Sequence, residues 1–272
     1  MQIIFDKKVL SYKGTLGFPE RMVYAYDFLK DKYLFVNPNV KIKEPEVHNK
    51  ELIEKVKERN FSDSDSPAYK GIYDRAILSL NSAVKAQEIR GFSLMEPPGH
   101  HAGKNFLGGF CYFNNIAEAV ERSKIKTLIL DIDGHHGNGT QDIFENSNNV
   151  FYTSLHRSPL YPGTGLNSKK NFLNYPLSAD CKEKIYLKIL RKAIQKTKEN
   201  FSFKQIAVSI GFDTYQGDLA SLGLEENSYK KIGKMIKDLA NETDSRIFAV
   251  LEGGYTKNLG YLIHKFILGL ES

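Results

Sequence analysis

Two cysteines, Cys111 and Cys181, are all that this 272-residue chain carries, and they stand far apart with no Cys-x-x-Cys. That excludes a disulfide framework and a cysteine zinc knuckle, and it predicts a reducing compartment, the cytoplasm. No apolar run approaches the roughly 20 residues that a bilayer-spanning helix needs. The apolar stretch at Met1-Gln-Ile-Ile-Phe is too short for a signal peptide, so a soluble, unexported protein with no membrane partner is expected. Blocks of one charge are missing as well. Lys and Arg number 38 against 32 Asp and Glu, a formal charge of +6, but the basic residues are scattered along helical patterns such as 182–198. Such a surface is a solvated one, and no nucleic-acid partner is expected. Internal repeats and low-complexity tracts are absent too; 62–67 and 146–149 read as single loops.

What the chain does have is alternation. With 41% hydrophobic residues it can build a substantial core. Short apolar runs at 3–5, 33–36, 92–95, 127–132, 150–155, 206–210 and 247–251 predict strands. Between them, helical spacing appears at 20–32, 50–59, 68–89, 115–123, 182–198, 228–240 and 258–268, with Asp180 as the expected N-cap of the 182–198 helix. Continuous apolar strands alternating with helices predict an α/β fold, a single parallel sheet covered by helices on both faces, formed by one domain over 1–272.

In such sheets ligands bind beyond the carboxyl ends of the strands, and the polar residues gather there. Asp131, Asp133 and His135 follow one strand at a spacing of two, which in an extended backbone sends all three side chains to the same side. Two carboxylates and an imidazole at a strand end invite a divalent cation. A helix-flanked calcium loop would need an oxygen ligand in place of His135 and Glu in place of Asp142. A dinucleotide fingerprint would need a third glycine after Gly137-Asn-Gly139. Neither pattern is met. A catalytic zinc takes three protein ligands and leaves a position open; Asp133 and His135 supply two, and Asp213, after the strand at 206–210, is the best-placed third, with Asp218 as its competitor.

Four of the seven histidines stand in two adjacent pairs. His100 and His101 follow Pro97-Pro98-Gly99, a stiff segment that suits rigid presentation of acid/base groups. Asp131 and Asn138 are candidates to hold the two imidazoles through their ring N–H groups, fixing tautomer and basicity. Tyr255, after Gly253-Gly254, can donate its hydroxyl to a developing oxyanion.

With these residues assembled, the chain resembles the histone deacetylase superfamily within the arginase/deacetylase fold. The resemblance rests on motifs in order: Pro19-Glu-Arg21, Asp65-Ser-Pro67, Pro97-Pro-Gly-His-His101, Gly109-Phe-Cys-Tyr112, Asp131-Ile-Asp-Gly-His-His136, Tyr161-Pro-Gly-Thr-Gly165, Gly211-Phe-Asp213 and Glu252-Gly-Gly-Tyr255. It implies zinc on Asp133, His135 and Asp213, with ferrous iron as the other candidate ion and a structural potassium. It further implies His101 as general base and then acid, His100 as its electrostatic partner oriented by Asp131, and Tyr255 polarising an acetyl carbonyl. Phe110 and Tyr161 would sandwich a methylene chain, Gly109 would face it, and Asp65 would bind substrate at the mouth. Asn138 stands where many relatives have Asp, as in the class II-like and acetylpolyamine amidohydrolase branches, and a neutral partner makes His101 less basic. A His that often precedes the Pro-Glu-Arg motif is replaced by Gly17-Phe18. The implied activity is hydrolysis of an acetamide, in a small acetylated amine or an acetyl-lysine protein, to acetate and a free amine. The alternatives are a non-catalytic acyl-lysine binder on the same fold and a binuclear manganese ureohydrolase; for the latter no second cluster of bridging carboxylates is found.

Overall fold

The computed structural model describes residues 1–11 and 20–272; Gly17, Phe18 and Pro19 of the expected motif lie outside the described residues. Among the described residues eight parallel strands form one sheet: β1 (Ile3–Ile4), β2 (Phe35–Val36), β3 (Phe92–Ser93), β4 (Thr127–Asp131), β5 (Val150–Arg157), β6 (Phe172–Leu177), β7 (Gln205–Ile210) and β8 (Arg246–Leu251). Their spatial order is β2-β1-β3-β8-β7-β4-β5-β6. The helices are α1 (Glu20–Leu29), α2 (Lys50–Glu58), α3 (Ile72–Ile89), α4 (Asn115–Ser123), α5 (Asn138–Phe144), α6 (Glu183–Asn200), α7 (Glu226–Thr243) and α8 (Leu259–Leu270).

Alternation along the central strands divides the core into two layers. Leu128 and Leu130 of β4 and Ile206, Val208 and Ile210 of β7 face one layer, with apolar residues of α1, α6, α7 and α8. Ile129 and Ala207 face the other, with α2, α3 and α4. Strands buried on both faces have no polar side to show water, which is why they read as unbroken apolar runs.

Two elements differ from the sequence expectation by their presence. Strand β6 contains Asn174 and Pro176 and was not among the expected strands; it lies at the sheet edge, where a proline costs no ladder bond to a further strand. Helix α5 starts inside the Gly137-Asn-Gly139 motif, whose glycines lower helix propensity. Asp180 is not the cap of α6: the helix begins after Lys182, which makes no side-chain capping bond. Helix α3 begins at Ile72 rather than 68, behind Gly71 in a left-handed conformation with φ +92°, open to glycine without steric cost. No described helix is long and apolar enough to cross a membrane.

Candidate active site

The four central strands β3, β8, β7 and β4 end on one rim, and in chain order the strand after β3 is β4, beyond β7 and β8. This is a topological switch point, where a crevice opens in doubly wound sheets. Here the crevice is a pocket of about 210 Å³ lined by Asp65, Pro98, His100, His101, Gly109, Phe110, Asp133, His135, Tyr161, Leu219, Gly253 and Tyr255.

Two of the lining residues, Asp133 and His135, bring one atom each within 4.8 Å of each other and of one atom of the buried Asp213. The backbone arranges them. Strand β4 stops at Asp131, and the carboxylate of Asp131 accepts the Asp133 amide at 3.2 Å; Asp131 does not join the group formed by Asp133, His135 and Asp213 and meets His100 instead. Asp133 Oδ2 accepts the Gly253 amide at 2.8 Å and its Oδ1 the His135 amide at 2.8 Å. Asp213 Oδ1 accepts the Gly134 amide at 2.9 Å. Gly211 is required here, since a Cβ at that position would collide with the carboxylates of Asp133 and Asp213.

The donor set fits a divalent cation. Asp213 Oδ2 is buried and accepts no hydrogen bond, although it lies 2.8 Å from His135 Nδ1; an orphaned buried carboxylate oxygen is costly unless something cationic meets it. For the side chains alone, burial raises the Asp213 carboxyl and the charge of Asp133 raises it further, to about 6, while His135 opposes. Burial also acts to raise the Asp133 carboxyl, but the imidazoles of His100 and His135 overcome this and hold it below the usual range. Among the described residues this is the one group of three or more His, Cys, Asp or Glu whose ligand atoms converge in this way. Asp218, the competing third ligand, is engaged elsewhere: its Oδ2 accepts the amides of Tyr255 at 2.8 Å and Thr256 at 3.2 Å.

The imidazoles of His100 and His101 lie 4.0 Å apart, centroid to centroid. His100 Nδ1 is 3.2 Å from Asp131 Oδ2, and the Tyr152 hydroxyl donates to that same oxygen at 2.8 Å. His101 Nδ1 is 2.8 Å from Asn138 Oδ1, at the start of α5. Burial disfavours the charged form of His100, but the carboxylates of Asp133, Asp131 and Glu252 overcome it and hold the ring up at about 10. His101 is held well below the usual range, by burial first and then by the imidazoles of His100 and His135.

The walls are apolar and narrow. Tyr161 packs edge-on against His101 with centroids 5.0 Å apart, and Phe110 meets Tyr255 at 6.1 Å. Between them Gly109 leaves space that a side chain would take: a Cβ there would stand 2.6 Å from His101 Cδ2 and 2.8 Å from Tyr161 Cε1. Asp65 lies in the lining, next to Asp63, whose Oδ1 accepts the Asp65 amide at 3.0 Å.

Three polar residues at the site had no role in the sequence expectation. Glu252 accepts the amides of Gly99 and His100 and the Ser209 hydroxyl, fixing the Pro97-Pro98 loop to β7 and β8. Arg21 forms a buried ion pair with Glu96, donates to the Gly254 carbonyl at 2.9 Å and lies 4.9 Å from the Tyr255 ring centre. Tyr152 buttresses Asp131. Both Glu252 and Arg21 stand inside motifs that carry the resemblance, which marked them without a task; for Arg21 the task appears only in the tertiary contact with the Tyr255 loop.

Comparison with known proteins agrees with this geometry. A model of the histone deacetylase domain matches residues 22–269. A probable deacetylase of Archaeoglobus fulgidus is 31% identical over 93% of this chain and 81% of that protein. Acetylpolyamine amidohydrolase 2 of Pseudomonas aeruginosa is 35% identical over 71% of this chain and 61% of its own length. Among solved structures, the HD domain of HDA15 superimposes with a TM-score of 0.88 at 28% identity, covering 100% of this chain and 91% of that one.

Proposed function

The chain belongs to the histone deacetylase family, and on that premise we propose that it is a zinc-dependent amidohydrolase, its deacetylase domain spanning 1–272, that removes acetyl groups from acetyl-lysine and acetylpolyamine-type amines alike. The observation that carries the reading is the convergence of Asp133, His135 and Asp213 at a pocket whose lining Asp133 and His135 share with His100 and His101. The names of the relatives, a probable deacetylase and an acetylpolyamine amidohydrolase, support it.

Asp133, His135 and Asp213 would hold the ion, which when bound supplies a Lewis acid for the acetamide carbonyl and lowers the pKa of a water toward 7. His101 is the general base. Its Nδ1–H donates to Asn138, so the Nε2 lone pair faces the pocket; being held neutral, it accepts the proton from the attacking water and then delivers it to the departing amine nitrogen. His100 keeps its charge against Asp131 and Asp133 and steadies the negative charge that develops beside it. Tyr255 donates its hydroxyl to the carbonyl oxygen as that oxygen gains charge. The carbon–nitrogen bond breaks, and acetate and a free amine leave. Phe110, Tyr161 and Gly109 admit a slim methylene chain, common to lysine and polyamines, and Asp65 accepts an N–H of the substrate at the mouth.

The test is a panel of acetyl-lysine peptides, N-acetylputrescine and small acetylated amines with the zinc-loaded protein, following acetate and free amine together. Equimolar release of both from at least one class is expected. An acyl-lysine binder would instead bind the peptides and release nothing. Tyr255→Phe keeps the ring and removes the donor, and it should lower kcat by about 10²-fold or more with ion content unchanged.

A further inference from the structure

The peptide group between Gly254 and Tyr255 is held at both of its polar ends. Its carbonyl, Gly254 O, accepts from Arg21 Nη1 at 2.9 Å. Its amide, Tyr255 N, donates to Asp218 Oδ2 at 2.8 Å, and the next amide, Thr256 N, donates to the same oxygen at 3.2 Å. A cation thus faces the oxygen and an anion faces the hydrogen. Rotating this plane by half a turn would set the carbonyl against the carboxylate and the N–H against the guanidinium, reversing two charge-assisted bonds at once. The restraint has a purpose, because Gly254 has φ +117°, in a region where glycine alone moves freely and a loop of two glycines would otherwise leave the next residue poorly aimed. Residues before it are already secured: Gly253 N–H donates to Asp133 at 2.8 Å, and Gly253 O accepts from Phe212 N at 3.0 Å.

We propose that Asp218 is a positioning residue which, opposite Arg21, fixes the Gly254–Tyr255 peptide plane and so aims the Tyr255 hydroxyl into the pocket. The inference rests on the deacetylase reading given above. Asp218 also reaches the pocket rim by a second route: its Oδ1 accepts the amide of Leu219 at 2.7 Å, and Leu219 is an exposed lining residue at the mouth. One carboxylate therefore ties the tyrosine loop to the rim loop, each through its own oxygen.

This division of labour separates two variants. Asp218→Ala removes both attachments. Asp218→Asn keeps one acceptor, and the amide oxygen should turn toward the two amides of Tyr255 and Thr256 rather than the single amide of Leu219, since two bonds outweigh one. The asparagine variant should therefore keep kcat within about 3-fold of the parent and raise KM, whereas the alanine variant should lose kcat by about 10-fold or more.

The decisive experiment is a double-mutant cycle with Tyr255→Phe, measured as kcat and KM on N-acetylputrescine and an acetyl-lysine peptide, with bound zinc checked by elemental analysis. If Asp218 acts through the tyrosine hydroxyl, Asp218→Ala costs about 10-fold with Tyr255 present and less than about 3-fold in the Tyr255→Phe background. An equal cost in both backgrounds, or an unchanged kcat with Tyr255 present, overturns the proposal. Hydrogen exchange at the Tyr255 and Thr256 amides gives a readout independent of turnover: Asp218→Ala should speed exchange there and leave β4 and β7 unchanged, and unaltered exchange would also overturn it. Should the parent protein release no acetate from either compound, the proposed function fails, and amide exchange alone then judges the clamp.

Discussion

Two imidazoles 4.0 Å apart, next to each other in sequence and both buried, are driven to opposite protonation states. On the Asp131 side, His100 sits among three carboxylates and stays charged; on the Asn138 side, His101 has a neutral amide partner and two imidazole neighbours and stays neutral. Burial is common to both, so it cannot be what separates them. The difference comes from what stands at Nδ1 and from which neighbours carry charge. Two neighbouring groups with pKa values pushed apart are suited to different tasks, one to hold charge and one to move a proton.

The comparison breaks most visibly if the roles are removed one at a time. His101→Ala should lower kcat by about 10²- to 10⁴-fold, the range of a lost general base, while His100→Ala should cost less and leave a measurable proton-transfer step. Steady-state kinetics on the two variants at equal zinc content check this. Equal losses would mean that the pair acts as one unit and that the division of roles is wrong.

A third imidazole sharpens the contrast because both of its ring nitrogens meet backbone groups and it has no catalytic task. His48 Nδ1 is 2.8 Å from the Gly103 carbonyl and its Nε2 accepts the Asn114 amide at 2.8 Å. Both nitrogens are used by backbone, so protonation would replace an acceptor with a donor facing an N–H. Burial lowers its pKa from 6.5 to about 4. The unfolded chain then binds a proton that the folded one refuses in that window, so folding stability should fall as pH drops from 6.5 toward 4, by about 3 kcal/mol from this residue. Urea denaturation across that range measures it; a flat profile would contradict it.

The smallest expected effect comes from making the two sides alike. Asn138→Asp places a carboxylate at His101 Nδ1 and should raise its pKa, moving the acidic limb of the kcat/KM profile to higher pH by about one unit, or about 1.4 kcal/mol. Base catalysis needs the neutral ring, so the sign is fixed. A limb that moves the other way, or not at all, would separate that limb from His101.

The parts of this site that sequence could reveal were those carried by local pattern. Asp133, His135, Asp213 and the His100–His101 pair stand at the ends of apolar runs, and Asp131 and Asn138 lie within four residues of His135; as candidates they were legible before any coordinates, as was the parallel sheet. What escaped was non-local. That Asp131 meets His100 and stays out of the ligand group depends on contacts 31 residues apart. The engagement of Asp218 with the Tyr255 loop joins residues 37 apart, and Arg21 reaches Gly254 across 233. Strand β6 was hidden by Asn174 and Pro176, which only its place at the sheet edge makes tolerable.

The central claim is that one divalent ion, held by Asp133, His135 and Asp213, serves acetamide hydrolysis. Its most direct test is titration of the metal-stripped protein with zinc while following acetate release from N-acetylputrescine and an acetyl-lysine peptide. The rate should rise from near zero and level off at one equivalent of zinc per chain, with Asp213→Ala flat throughout. Full activity that appears only at two equivalents, activity undiminished in the stripped protein, or no acetate at any loading would contradict the account.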